Sequence, residues 1–149
     1  MKAVADQFEH QKLCSLLHSE TCAEQAYASV VSRENGTEGS PLMSKILADH
    51  KLALAKLSEL LPEGVQLTER SDDDDCSYLA VVVEISGNPT TDPMALKALK
   101  ELEERCQLDY ELVLASDDFR AEMKRVIRFE LLPLIKTHLD DLAYMLALS

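Results

Sequence analysis

Apolar residues recur along this chain at alternating steps of three and four positions, the spacing that places side chains on one face of a helix. The clearest run occupies residues 92–115, where Asp92 is suited to cap free amides and Pro93 suits the first helical position. A second run, in residues 13–30, repeats the same order of residue types: leucine, leucine, glutamate, small residue, tyrosine and valine. The two predicted faces are Leu13, Leu16, Glu20, Ala23, Tyr27 and Val30, and Leu96, Leu99, Glu103, Cys106, Tyr110 and Val113.

Two further helical stripes each contain one histidine. The first helix of the chain is predicted over about residues 5–34 and the second over about residues 41–61. The last helix is expected to begin near Asp118, in the turn and capping sequence Ser116–Asp118, and to be kinked or broken at Pro133. The two stripes are Met43, Leu47, His50, Leu54, Leu57 and Leu61, and Ile127, Leu131, Ile135, His138, Leu142 and Met145.

Residues 62–92 connect the two halves and contain an acidic run, Ser71–Asp75, followed by the apolar run Tyr78–Ile85. Valine and isoleucine favour a strand, but the chain offers no second convincing strand with which this run would pair. An isolated strand would leave buried backbone groups without hydrogen bonds. We therefore predict a short helix or an extended segment that covers one end or edge of the bundle, with strand pairing between two chains as the alternative.

The two halves repeat as helical hairpins within a single domain, residues 1–149. Hairpin 1 spans about residues 5–61, the crossover about 62–92 and hairpin 2 about 93–147. Helices joined by short loops are antiparallel neighbours. A connection of about 30 residues is longer than an up-down-up-down bundle requires. The predicted fold is therefore all-α, a four-helix bundle with one long crossover.

The charge balance argues against two classes of partner. With a formal net charge of -12, the chain lacks the basic surface that nucleic-acid binding needs. The same charge disfavours binding to an anionic membrane surface. No segment approaches the roughly 18 apolar residues of a membrane span, and the N-terminus has no apolar leader, so a cytoplasmic location is expected. The 4 cysteines are scattered without a CxxC pair and are expected to be reduced, with a disulfide as the alternative.

The paired core glutamates, Glu20 and Glu103, the later core histidines and the long connection resemble the ferritin-like superfamily. More narrowly, the chain resembles small bacterial four-helix-bundle proteins of unknown function. In metal-binding members of the superfamily, the first and third helices each give a glutamate, and the second and fourth each give Glu-x-x-His. This chain has Leu47 and Ile135 where the carboxylates of those two motifs would lie. A dinuclear iron centre is therefore not expected.

The chain keeps three or four nitrogen and oxygen donors for a single zinc or iron ion. Alternatively, the core glutamates pair with histidine or tyrosine by hydrogen bonds, as buried polar groups do without a metal. When each hairpin is folded about its turn, His50 falls opposite Glu24, and His138 falls opposite Leu96, about 10 Å from the level of Glu103. The candidate metal ligands are Glu20, Glu24, His50, Glu103 and Glu130.

Sequence signatures of phosphate-binding glycine loops, nucleophile elbows and Cys/His nucleophiles do not occur in the chain. We therefore expect a non-catalytic helical bundle that acts as an interaction or assembly module and needs no cofactor. The resemblance to ferritin-like proteins implies a stress-related role. The alternative is a metal-binding or oxidoreductase bundle in which iron or zinc is held by a reduced set of ligands.

Several helices carry apolar residues outside their predicted stripes. A large apolar surface usually marks an interface, and a twofold dimer is the commonest way to bury one. We therefore expect a homodimer in which the acidic run Ser71–Asp75 faces the basic stripe Arg120–Arg128, with contact to another protein as the alternative. The residues outside the stripes are Leu17, Val31, Ile46, Leu52, Leu60, Leu112, Leu114, Leu132, Leu134 and Leu139.

Overall fold

A computed structural model describes the backbone of residues 2–33, 41–61, 75–86, 88, 90–117 and 119–149. Within these residues the structure is helical and contains no strand. None of the described helices is long and apolar enough to cross a membrane. The elements are α1 (Lys2–Arg33), α2 (Pro41–Leu60), α3 (Asp75–Ile85), α4 (Pro93–Ala115), α5 (Ala121–Val126), a π-helical turn (Ile127–Leu131) and α6 (Leu132–Leu148).

Helices α1 and α4 present the faces that the sequence predicts. The Asp92 carboxylate accepts a hydrogen bond of 2.9 Å from the backbone N–H of Met94, and Pro93 is the first residue of α4. All of the stripe residues predicted for α1 and α4 are buried, including both glutamates. The two repeated runs therefore form the centre of the core.

Helix α2 is rotated relative to the prediction. Leu47 and Leu54, which were assigned to its buried stripe, are only partly buried, whereas Ile46 and Ala53 are fully enclosed. The three-four spacing of the leucines did not fix the face, because Ile46 and Ala53 offer an equally regular alternative one position away. The buried residues of α2 are Met43, Ile46, His50, Ala53 and Leu57.

The apolar run after the acidic segment is a helix, α3, which is one of the two conformations predicted for it. Its Leu79 and Val83 side chains are buried, and the helix packs against both α1 and α4. Arg33, at the end of α1, donates hydrogen bonds to the backbone oxygens of Val83 (2.8 Å) and Ser86 (2.7 Å). The Val83 oxygen also accepts from the N–H and the hydroxyl of Ser86, and a cation near the last carbonyls of a helix is favourable. Of the acidic run, only the backbone of Asp75 belongs to the described residues.

The last helical segment begins later than predicted. Arg120 precedes α5 in an extended conformation and its side chain makes no capping hydrogen bond, so the expected cap in the turn does not start this helix. Asp118 itself lies outside the described residues. Phe119, just before this segment, is buried and packs in the core. The Arg120 guanidinium instead donates to the Leu60 carbonyl oxygen at 2.7 Å, at the end of α2.

The break expected at Pro133 is a single widened turn. The Leu132 N–H bonds to the Ile127 carbonyl oxygen, five residues back, and the α-helix resumes at Leu132. In an ideal α-helix, each four-residue step turns the side-chain direction about 40° past a full turn. The two steps from Ile127 to Leu131 to Ile135 would therefore rotate the side-chain direction by about 80° around the helix axis. The π-helical turn absorbs this drift and keeps all three side chains buried.

Contacts along the helices fix their relative directions. Arg33, at the end of α1, contacts Ser86, which precedes the start of α4 at Pro93. Ser19, nearer the start of α1, donates to Asp109 in the second half of α4 at 2.5 Å. Helices α1 and α4 are therefore antiparallel. Helix α2 packs on α1, and α6 packs on α4. The result is a helical bundle whose core lies between α1, α2, α4 and α6 and whose α1–α4 surface is covered by α3.

Candidate functional site

A histidine joins two glutamates at the centre of the core. The Nδ1 atom of His50, on α2, lies 2.6 Å from Glu20 Oε2 on α1. Its Nε2 atom lies 2.8 and 2.9 Å from the two carboxylate oxygens of Glu103 on α4. All three side chains are buried, so these charged and polar groups satisfy one another in the absence of solvent.

A second histidine extends the cluster to the last helix. His138 Nδ1 lies 2.5 Å from Glu103 Oε1, and His138 Nε2 lies 2.8 Å from Asp49 Oδ2. The rings of His50 and His138 are 5.1 Å apart between centroids and tilted by 51°. Each of α1, α2, α4 and α6 thus contributes a titratable side chain to one buried cluster: Glu20, His50, Asp49, Glu103 and His138.

The prediction that His138 lies opposite Leu96 is wrong, since His138 contacts Glu103. Helix side chains point towards the N-terminus of their own helix, so the imidazole lies nearer the turn than its Cα atom does. The π-helical turn adds to this shift by placing an extra residue before α6. The prediction that His50 lies opposite Glu24 is also wrong. His50 contacts Glu20 directly, one turn before Glu24 on α1. That prediction assumed a symmetric turn between α1 and α2.

The two core tyrosines differ in their hydrogen bonds. Tyr110 donates from its hydroxyl to Glu20 Oε1 at 2.6 Å. The Tyr27 ring stacks on His50, with centroids 5.4 Å apart and planes 19° from parallel. Its hydroxyl is buried and has no hydrogen-bond partner among the described residues. Burial, and then the charges around them, raise the pKa of both tyrosines well above the ordinary value, so both are neutral phenols at neutral pH.

The electrostatics of the cluster favour a charged His50. Burial lowers the pKa of the His50 imidazole, but the charges of Glu103 and Glu20 and the hydrogen bonds to both outweigh burial and raise it to about 10. Burial also opposes ionisation of Glu103. The charge of His50 and the hydrogen bonds from His138 and His50 nevertheless hold the pKa of Glu103 below its usual range. Ionised carboxylates only accept hydrogen bonds, so both nitrogens of His50 carry protons in this arrangement.

Three of the five predicted ligand candidates meet in the cluster: Glu20, His50 and Glu103. Glu24 lies outside it and lines a surface cleft between α1 and α3. Glu130 is exposed and forms an ion pair with Lys56 on α2. The expectation that these two carboxylates join the candidate site therefore does not fit the structure.

Asp49 and the contact of His138 with Glu103 were missed from the sequence. Asp49 is three residues after Ile46 and four before Ala53, so it borders the true buried face of α2. Taking Ile46 and Ala53 as the stripe would have placed Asp49 at the edge of the core. His138 was identified as a core residue, but its axial position depends on the geometry of the turn and of the π-helical segment.

Among the described residues, two overlapping groups of donors, formed by the cluster and the adjacent Cys106, could hold a metal ion. One group is His50, Glu103 and His138, and the other is Glu20, His50 and Cys106. The donor atoms in each group lie within 4.8 Å of one another, and all of these residues are buried. Both groups use His50. A neutral imidazole has only one nitrogen with a free lone pair, so His50 can bind a metal ion in only one of the two groups at a time.

A dinuclear iron site does not fit the residues present. The positions three residues before the two histidines are occupied by Leu47, which is partly buried, and Ile135, which is buried. Neither side chain can supply the carboxylate that the Glu-x-x-His motif requires.

A search of protein-family models finds no match to this chain, and comparisons with curated proteins and with solved structures find none either.

Proposed function

We propose that this protein is a metal-binding helical bundle that holds one zinc or iron(II) ion. The ligands are His50 Nε2, the carboxylate of Glu103 and His138 Nδ1. Two imidazoles and one carboxylate are a ligand set typical of both ions in proteins, and it leaves coordination positions open. The proposal follows the metal-binding alternative from the sequence. It keeps His50 and Glu103, adds His138, and omits Glu20, Glu24 and Glu130 as ligands.

The observation that carries this proposal is the orientation of the two histidines. Each turns one ring nitrogen towards the same carboxylate, Glu103, and the other towards a separate carboxylate, Glu20 for His50 and Asp49 for His138. Metal-binding histidines almost always donate their far N–H to a carboxylate, a carbonyl or a water molecule. Both histidines have such a carboxylate, and both near nitrogens point to the group that would share the ion.

The charge of the cluster supports the same conclusion. Three carboxylates, Glu20, Asp49 and Glu103, surround two histidines, and only Asp49 is partly exposed. Buried negative charges are stable only when they are paired or coordinated. A divalent cation can replace the protons on the near nitrogens and leave both far N–H groups donating to Glu20 and Asp49.

We further propose that the bundle has a ferritin-like arrangement. The antiparallel packing of α1 on α4 supports this, as does the connection between α2 and α4, which includes α3. In such bundles the metal site lies between side chains of facing helices. The positions of Glu20, His50, Glu103 and His138 on four different helices agree with that plan.

Elemental analysis of protein purified without chelator tests the metal site, and one zinc or iron per chain is the expected result. A Zn²⁺ titration of the metal-free chain against a chromophoric chelator then gives the affinity. His138→Gln is expected to abolish tight binding, since it removes a ligand. Asp49→Asn should weaken binding by about 10- to 100-fold, because it removes the acceptor that orients His138.

His18→Gln provides a matched control, since His18 lies on α1 outside the cluster, where it contacts Cys22. This variant should bind Zn²⁺ like the wild type. If neither zinc nor iron binds to the wild-type chain, or if His138→Gln binds as tightly as His18→Gln, the proposed site is wrong.

A second candidate function, a self-associating assembly module, is supported by the outer surface of α3. Tyr78, Val81 and Ile85 form an exposed apolar stripe on that helix, with 68%, 47% and 76% of their surface accessible. The ten apolar residues outside the predicted stripes of the other helices supply less exposed surface than the sequence suggested. Leu17, Ile46 and Leu132 are buried, Leu52 and Leu112 are exposed, and the remaining five are partly buried.

Sedimentation at micromolar concentration tests this second candidate, with twice the chain mass as the expected result. Val81→Lys and Ile85→Lys together should yield the monomer, because two charges would then lie in the interface. The matched control is Leu52→Lys with Leu112→Lys, which introduces the same charges on exposed leucines away from α3. A monomeric wild-type chain would refute self-association without affecting the metal site.

A further inference from the structure

The hydroxyl of Tyr27 is a buried polar group that the hydrogen bonds of the cluster do not use. Its side chain is fully buried, and its ring lies against His50. Buried hydroxyls in native proteins normally have a partner, so one without a partner calls for an explanation. Since Tyr27 adjoins the cluster, the simplest explanation is that its partner becomes available only in another state of the cluster.

The internal repeat indicates which partner this is. Tyr27 and Tyr110 hold the same place in the two repeated runs, as Glu20 and Glu103 do. Tyr110 on α4 donates to Glu20 on α1. The equivalent bond would run from Tyr27 on α1 to Glu103 on α4. After burial, the charge of Glu103 is the largest influence on the pKa of Tyr27, which agrees with their proximity.

The hydrogen bonds of Glu103 explain why this bond is absent. Its Oε1 atom faces both His138 Nδ1 and His50 Nε2, and its Oε2 atom faces His50 Nε2. A carboxylate has about four acceptor sites, so these contacts do not saturate Glu103. They turn both of its oxygens towards the histidine nitrogens, and the Tyr27 hydroxyl makes no hydrogen bond to either oxygen. A metal ion bound by these nitrogens would displace their protons, and Glu103 would lose its donors. Carboxylates that bind metals are themselves normally hydrogen-bonded.

We propose that Tyr27 is the positioning residue for Glu103 in the metal-loaded protein, where its hydroxyl donates a hydrogen bond to the carboxylate oxygen that the ion leaves free. This role rests on the proposed metal site. It makes Tyr27 the counterpart of Tyr110, with one difference. The bond from Tyr110 to Glu20 exists without metal, whereas the bond from Tyr27 to Glu103 forms only when metal binds.

Zn²⁺ affinity and the thermal midpoint of the metal-free chain, measured on the same variants, test this role. Tyr27→Phe should weaken Zn²⁺ binding by about tenfold or more, the usual effect of removing an outer hydrogen bond to a ligand. Its metal-free midpoint should equal or exceed that of the wild type, because no hydrogen bond is lost. Tyr110→Phe should lower the metal-free midpoint, since it removes an existing bond to Glu20.

Tyr144→Phe is the matched control for loss of a phenol hydroxyl, because Tyr144 is 67% exposed on α6, and neither measurement should change. Zn²⁺ affinity of Tyr27→Phe within twofold of Tyr144→Phe would overturn the role of Tyr27 and leave the metal site standing. A lower metal-free midpoint for Tyr27→Phe would also overturn it, because the hydroxyl would then have a partner without metal. Failure of the wild-type chain to bind Zn²⁺ would refute the site and this role together.

Discussion

At the scale of single residues, the cluster is arranged so that no carboxylate stands alone. Glu20 accepts from Tyr110 and His50, Glu103 accepts from both histidines, and Asp49 accepts from His138. Removal of one partner from a buried charge pair typically costs about 3 to 5 kcal/mol, because the remaining charge is left without compensation. The stability of the metal-free protein therefore depends on the protonation of His50.

The free energy of unfolding of the metal-free protein should fall as the pH rises from about 6.5 towards 10. The folded pKa of His50, about 10, is above the ordinary value of 6.5. Its contribution is complete below pH 6.5 and is lost as the pH rises through the folded pKa. Glu103 acts in the opposite sense, because its pKa is lowered. Its contribution is lost as the pH falls below 4.5, the ordinary value.

Urea unfolding of the chelator-treated protein at several pH values measures this dependence. His18→Gln should show the same alkaline decline as the wild type, whereas His50→Gln should show a flatter one. A wild-type free energy of unfolding that stays constant between pH 6.5 and 10 would contradict a cationic His50.

At the scale of secondary structure, regular spacing and a local cap were enough to predict α1 and α4. Their predicted stripes are buried throughout, although neighbouring residues such as Leu17 and Leu102 are buried as well. Asp92 marks the start of α4 through a short-range hydrogen bond. The face of α2 could not be fixed this way, because Ile46 and Ala53 compete with Leu47 and Leu54. The start of α5 was misplaced because the capping sequence suggested a helix from about residue 118, whereas Arg120 is extended and α5 begins at Ala121.

The rotated face of α2 predicts unequal costs for two leucine truncations. Leu57→Ala should lower the free energy of unfolding by about 2 to 5 kcal/mol, since Leu57 is fully buried. Leu54, three residues away, is only partly buried, so Leu54→Ala should cost about 1 kcal/mol. The sequence had assigned Leu54 and Leu57 to the same buried stripe and so predicted similar costs for both. Leu99→Ala on α4 is the buried reference and should resemble Leu57→Ala. Equal losses at positions 54 and 57 would show that the face of α2 is misassigned.

At the scale of the whole molecule, the sequence predicted an all-helical chain, and the structure agrees. It also predicted that Glu20, Glu103, His50 and His138 face the core. It predicted that Glu20, His50 and Glu103 meet, as metal ligands or through hydrogen bonds, but it did not place His138 beside Glu103. That contact requires the axial positions of the helices to agree within about one residue, or 1.5 Å. Those positions depend on the turn at Phe119 and the extra residue in the π-helical turn, neither of which follows from hydrophobic spacing.

The distribution of the cluster over the helices has a consequence for how the molecule opens. Helices α1, α2, α4 and α6 each hold at least one of its members, so none of the four can separate without leaving a buried charge uncompensated. Among the described side chains of α3, residues 78–85, none belongs to the cluster, and this part of the helix is attached through apolar contacts and the Arg33 hydrogen bonds. Native-state hydrogen exchange should therefore divide the chain into two cooperative units. Backbone amides of α3 should exchange through a local opening with little urea dependence, whereas those around Glu103 should exchange only on global unfolding. Equal protection of both regions would mean that α3 and the four long helices open together.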